Sequence, residues 1–267
     1  MPRKFVFADA PHRSVNLVAG ERLKDGNLAP ANVGNAWAVA VWAKPSGDFS
    51  ADRGLFSIEH ELTLAFPINF PFSNIRIIFR TSGTNNMTVQ TWAGLAAPIK
   101  DYTWNSWWTQ DTWILTMITW NGTSLLAYRN GVAVSPSTMT TDDAGSMGTP
   151  PARRIGVGNL VSTGLADNDF QGRIFSAGLW NVAVDAPGVA ALYNGGYGAN
   201  VDWLIPRPGY TASAFLQHYW RTGHYYPPDS GIGRDYGVAS TNRRNIMNNA
   251  VNIDGSDIVY DWPGKEL

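Results

Sequence analysis

Two Asn-Gly pairs, Asn121-Gly122 and Asn130-Gly131, stand nine residues apart, each between apolar runs. Asn and Gly both accept positive φ, which a type I′ turn needs at its two central positions, and that turn matches the twist of paired strands. The spacing predicts a β-meander: Trp113–Trp120, Ser124–Arg129 and Val132–Val134. The rest of the chain agrees. Four glutamates and five lysines leave few of the residues that cover helix surfaces. Twelve Trp, ten Tyr and eleven Phe suit pleated surfaces, and 27 Gly with 16 Pro supply turns. The expectation is an all-β chain.

Residues 36–43, Ala-Trp-Ala-Val-Ala-Val-Trp-Ala, are apolar throughout and stop at Lys44-Pro45-Ser46-Gly47. Such a run suits a strand buried on both faces. Residues 54–58 and 61–66 read as short strands. Ile75–Arg80 and Met87–Trp92 read as a hairpin about the turn 82–86. Residues 93–112 read as an irregular aromatic loop, 135–152 as a surface loop and 196–212 as a linker. Arg154–Val157, Gln171–Trp180, Ala214–Arg221 and Val251–Val259 read as strands, and 227–250 as loop. One helix is expected near 186–194, with Asp185 as N-cap, Pro187 in the first turn and Gly195 at C′.

A chain of 267 residues fits one large β domain or two small ones. The absence of cysteine excludes disulfides, thiolate zinc sites and thiol catalysis. A net charge of −1 argues against a polyanion partner, so no nucleic acid is expected. No apolar run approaches the ~18 residues of a spanning helix, so no membrane partner is expected either. The N-terminal Met1-Pro-Arg-Lys-Phe5 is basic but lacks a following apolar region, so no secretory signal is expected.

Three segments together resemble the concanavalin A-like, laminin-G-like jelly rolls. Trp37–Pro45 is similar to their early strand. Thr112–Val134 is similar to their central hairpin, with a Trp-led strand and a Tyr-x-Asn-Gly strand. Arg154–Asn159 followed by Phe170–Gly196 is similar to their closing segment, in which a strand leads to a short helix ending in Ala-Leu-Tyr-Asn-Gly-Gly. The resemblance covers about residues 30–196 and implies a two-sheet antiparallel jelly-roll sandwich. On it, 1–30 is an N-terminal arm or first strands, 31–196 the sandwich, and 197–267 an extension completing it. The extension, with His218-Tyr-Trp-Arg221 and Ser256-Asp-Ile-Val259, is similar to the tail of laminin-G-like proteins in tailed bacteriophages.

Glucanases of this fold carry paired carboxylates as Glu-x-Asp-x-x-Glu, because glycoside hydrolysis needs an acid and a second carboxylate. That motif is missing here. Glu59-His60-Glu61 is the nearest feature, and no catalytic residue is assigned. His218 and His224 stand ~20 Å apart if extended, too far for one metal. Calcium needs six to eight oxygens. The candidate calcium ligands are Asp167 and Asp169, beside Asn168, with Asp142-Asp143 as a second cluster, and otherwise no cofactor is expected. Arg234 and Arg243-Arg244 read as solvated loop residues. Tyr102, Trp104, Trp107 and Trp108 are the candidates for glycan or partner contact, with core packing as the competing role.

The resemblance implies a non-enzymatic protein of a bacteriophage particle, made in the host cytoplasm. The first reading is a capsid decoration protein on the virion surface, with the major capsid protein as partner and a homo-oligomer as its state. The alternative is a lectin or adhesin that binds surface glycans. A glycoside hydrolase ranks third. The segments expected to make contacts are 1–30, 93–112 and 227–250.

Overall fold

The computed structural model describes residues 14–17, 23–24, 36–46, 53–59, 74–80, 85–92, 98–142, 154–158, 170–198, 201–221, 234–235 and 258–259. The N-terminal half contributes β1 (Ser14–Leu17), β2 (Leu23–Lys24), β3 (Trp37–Pro45), β4 (Arg53–Glu59), β5 (Asn74–Arg80), β6 (Asn86–Trp92) and β7 (Pro98–Trp104). The meander follows as β8 (Ile114–Trp120), β9 (Leu125–Arg129) and β10 (Val132–Val134). Then come β11 (Thr138–Asp142), β12 (Arg154–Val157), β13 (Gly172–Trp180), helix α1 (Ala186–Tyr193), β14 (Leu216–Arg221), β15 (Arg234–Asp235) and β16 (Ile258–Val259).

The strands form two antiparallel sheets packed as a sandwich. The first runs β10-β9-β8-β3-β13-β1-β16, with β14 also on β13 and β15 on β14. The second runs β11-β7-β6-β5-β4-β12-β2. Alternate side chains of a strand face opposite sides of its sheet, which explains the core. Trp37, Val39, Val41 and Ala43 of β3 meet Phe56, Ile58, Met87, Val89 and Trp104 between the sheets. Ala38, Ala40 and Trp42 face the other way, into a second cluster with Leu192 of α1 and with Trp203 and Tyr210. All nine residues of β3 are buried, as the uninterrupted apolar run requires.

The segment 196–212 is therefore not a linker. Val201, Trp203 and Tyr210 are buried against the outer face of the first sheet. The indole N–H of Trp180 donates to the Tyr210 hydroxyl at 3.0 Å, and that hydroxyl donates to the Trp203 carbonyl at 2.7 Å. Trp203 lies between Trp180 and Tyr219, its ring 5.4 and 5.1 Å from theirs. Helix α1 begins as expected, with the Asp185 carboxylate accepting from the Gly188 N–H, and ends with Asn194 and Gly195 in left-handed conformation.

Two other expectations change. Pro98–Trp104, read as irregular, is a strand between β6 and β11, and Thr138–Asp142, read as loop, is the second sheet's edge strand. Only Asn130-Gly131 makes a two-residue turn, both residues with positive φ. Asn121 instead closes a four-residue loop, since its side-chain oxygen accepts from the N–H groups of Thr123 and Ser124. Within 1–30, Ser14–Leu17 pairs with β13 and Leu23–Lys24 with β12 of the same chain. Residues 61–66 lie outside the described residues, as does 227–250 apart from Arg234 and Asp235.

Candidate functional site

The four aromatic candidates for glycan contact lie inside the sandwich. Tyr102, Trp104, Trp107 and Trp108 are all buried, and all belong to the core between the sheets. A ring that stacks on a sugar must show a face to solvent, so core packing is their role and the stacking assignment is corrected. The physical reason is register. Tyr102 and Trp104 are alternate residues of β7 and point inward, while Asp101 and Thr103 point outward.

Trp107 and Trp108 anchor the turn that follows β7. The Trp107 indole N–H donates to the Thr116 hydroxyl at 2.9 Å, and Arg129 Nε donates to the Trp107 carbonyl at 2.6 Å. The Trp108 N–H donates to the Asn85 carbonyl at 2.9 Å. Ser106 N–H donates to the Asn86 side-chain oxygen at 3.1 Å, and Asn105 N–H to the Ser137 hydroxyl at 3.0 Å. Buried indoles thus hold an exposed polar surface of Asn105, Ser106, Thr109 and Gln110 in place.

One charged node sits at the mouth of the sandwich. The Asp142 carboxylate accepts from both Lys100 Nζ and the Tyr102 hydroxyl. Lys100 is buried, with its ammonium 5.4 Å from the centre of the Trp120 ring, whereas the Asp142 side chain is 54% exposed. The bond from Lys100, then that from Tyr102, holds the Asp142 carboxyl below its ordinary range. Burial first, and the bond to Asp142 second, pushes the Tyr102 phenol up. With every partner engaged, this node ties edge strand β11 to β7.

The outward face of the second sheet carries a different chemistry, which the sequence reading missed. Gln90 Nε2 donates to Asp101 Oδ2 at 2.9 Å, and the Thr88 and Thr103 hydroxyls share a hydrogen bond of 3.0 Å. Register continues both rows onto β11, where Thr141 stands opposite Asp101 and Thr138 opposite Thr103. Accessibility rises toward that edge. Ser57 and Thr88 are buried, Gln90, Asp101, Thr103 and Thr141 are half-buried, and Thr138 is exposed. The accessible strip therefore runs along β7 and β11. It offers amide, carboxylate and hydroxyl groups, which between them donate and accept at closely spaced points. Its only signal in the sequence is the polar half of β7's alternation.

Of the remaining candidates, Asp167, Asn168, Asp169, Asp143, Glu61, His60 and His224 lie outside the described residues. Glu59 ends β4. His218 is buried on β14 and stacks on Trp220, ring centres 5.3 Å apart. Among the described residues, no three His, Asp or Glu side chains gather as a metal site would need.

Comparison with known proteins bears on the fold. The family model Laminin_G_3, described as the concanavalin A-like lectin/glucanases superfamily, matches residues 21–190. No curated protein sequence matches. A solved structure from Bacteroides ovatus, described only as a candidate carbohydrate binding protein, superposes with a TM-score of 0.53 at 12% identity, over 85% of this chain and 56% of its own. This chain thus spans little more than half of that relative. The heptameric SAP-like pentraxin of Limulus polyphemus gives 0.46 at 14% identity, over 70% of this chain and 83% of its own. Domain 4 of the extracellular arabinanase AbnA of Geobacillus stearothermophilus, solved with arabinotriose, gives 0.45 at 17% identity, over 68% and 76%.

Proposed function

We propose, because this chain belongs to the concanavalin A-like lectin/glucanases superfamily, that it is a non-catalytic carbohydrate-binding protein. The observation that carries this reading is the strip on β7 and β11, where Asp101, held by Gln90, lies beside the hydroxyls of Thr103, Thr138 and Thr141. Sugar hydroxyls pair with such groups, and the outer face of the first sheet is occupied by α1 and the Trp203 block. Hydrolysis would need a second carboxylate beside the first. Asp101 is the one described carboxylate on the strip, and it is already paired with an amide. The Bacteroides ovatus structure, itself described only as a candidate carbohydrate binding protein, is consistent with this reading.

The test is a glycan array probed with the purified chain, in calcium and in chelator. Binding that is lost on Asp101→Ala or Gln90→Ala, in proteins with unchanged melting temperature, supports the assignment. Calcium-dependent binding would bring in Asp167 and Asp169. No binding in either condition removes the reading.

A second reading, a virion surface protein with a capsid lattice as partner, is favoured by one observation. The segments that resemble the phage tail contribute β14 and β16, and both join the first sheet, as that resemblance implies. Co-sedimentation with capsids would support it.

A further inference from the structure

We infer that this chain self-associates as a twofold dimer through the free edge of β10, which continues the first sheet from one copy into the next. Such a dimer is independent of either functional reading. β10 ends its sheet, and among the described residues no strand pairs with its outer side. Of the seven large hydrophobics exposed among the described residues, four lie in one stretch: Leu126, Val132, Val134 and Met139. Val132, at 66%, is the most exposed of them. From Asn130 to Thr141 the chain carries no charged residue. Monomeric proteins block such an edge with lysine, proline or a bulge. β11, joined to β10 by residues 135–137 alone, has a bulge between Met139 and Thr141. β10 has none of the three.

The occupant that fits this edge is a second copy. A twofold axis perpendicular to the sheet sets an edge strand antiparallel to itself, and Val132-Ala133-Val134 reads the same from either end. The two-residue turn fixes which backbone groups are free. The flanking pair Arg129–Val132 exchanges its hydrogen bonds within the hairpin, so at Ala133, opposite Tyr128, the N–H and C=O turn away from β9. With the axis at Ala133, the two Ala133 residues exchange N–H···O bonds. Val132 of each copy then stands opposite Val134 of the other as a non-hydrogen-bonded pair, with Cα atoms about 4.5 Å apart. The exposed valines cover one another, as β-branched cross-strand pairs do. No like charges meet across the axis, because the run 130–141 is uncharged.

The experiment is sedimentation equilibrium of the intact chain across a concentration series. The mass should rise from one chain to two and stop there. Val132→Lys adds a charge at an exposed edge position, and Ala133→Pro removes an N–H that β9 does not use. Each should weaken dimerisation at least about tenfold, or ~1.4 kcal/mol, with the melting temperature of the dilute, monomeric protein unchanged. Phe215→Lys, at an exposed apolar residue on the segment before β14, should leave dimerisation as it is. The chain has no cysteine, so the register can be read by cross-linking. Oxidising a mixture of Val132→Cys and Val134→Cys proteins should give the mixed disulfide beyond its statistical share, because residues opposed at about 4.5 Å lie within disulfide reach. A chain that stays monomeric at every concentration overturns the inference. So does a dimer that survives Val132→Lys and Ala133→Pro, or a mixture that cross-links without preference.

Discussion

The indole N–H of Trp107 donates to the hydroxyl of Thr116 across 2.9 Å, wholly inside the sandwich. The side chain that looks best suited to hold a sugar is thus committed to holding its own loop against β8. Trp107→Phe keeps most of the apolar volume but leaves the buried Thr116 hydroxyl without this donor, which costs about 1–3 kcal/mol. Trp107→Ala adds a cavity and should cost about 3–5 kcal/mol. Urea unfolding measures both. Glycan affinity of the folded Trp107→Phe protein should stay within about twofold of wild type, a difference of under ~0.4 kcal/mol. A large affinity loss at unchanged stability would return Trp107 to a contact role.

The Tyr210 hydroxyl accepts from Trp180 and donates to the Trp203 carbonyl, both in the buried cluster outside the first sheet. Tyr210→Phe strands one donor and one acceptor and should destabilise by about 1–3 kcal/mol for each group left unpaired. A chain ended after Gly196 loses Val201, Trp203 and Tyr210 together, exposing the outward side of β3 and β13. It should fail to give a cooperative thermal transition. If that shorter chain melts as sharply as the full one, the second cluster is not integral to the fold.

Periodicity and turn chemistry made part of this fold readable in advance. The unbroken apolar run of β3 announced burial on both faces, because no polar residue marks a solvent side. Asn130-Gly131 announced its hairpin, and Asp185 its helix. The failures share a cause. β7 begins at Pro98 and mixes Lys, Asp, Tyr and Thr, so its alternation is visible only once Tyr102 and Trp104 are known to face inward. β11, Thr-Met-Thr-Thr-Asp, has the composition of a loop and becomes a strand through pairing with β7. Segment 196–212 has the prolines and glycines of a linker, and only tertiary contact shows its aromatics filling a core. The site followed the same rule. Indoles could be counted in the sequence, but whether they face sugar or interior is decided by register, and the polar strip is made by residues of three strands.

Gly178 lies in the middle of β13, where a side chain would normally strengthen a strand. A Cβ there would come within 2.8 Å of Trp203 and 2.9 Å of Trp180. The missing side chain lets two large rings lie on the sheet. Gly178→Ala must push rigid indoles away and should cost about 1–3 kcal/mol, as overpacking does. Pairing it with Trp203→Leu should recover part of that loss, since the clash and the bulky ring are removed together. Strictly additive losses in the double variant would show that the contact is not the cause.

The Lys100–Asp142–Tyr102 node predicts how stability changes at both ends of the pH scale. Asp142 has its folded-state carboxyl value depressed, first by the bond from Lys100 and then by that from Tyr102. Its contribution is whole above the ordinary carboxylate range and disappears as pH falls through the depressed value. Because the Asp142 side chain is 54% exposed, solvent screening keeps that contribution to under about 1 kcal/mol. Tyr102 moves the other way, raised above its ordinary 10.0 by burial and then by the bond to Asp142. Its contribution is whole below that value and is lost as pH rises through the raised one. Asp142→Asn should therefore be less stable than wild type at neutral pH, with the gap narrowing only as pH falls below the ordinary carboxylate range and through the depressed value. Tyr102→Phe should lose the alkaline limb above pH 10 that its own phenol produces. Urea midpoints across the pH range measure both. An Asp142→Asn gap of constant size from acid to neutral would mean that the carboxylate's charge is not what binds β11 to β7.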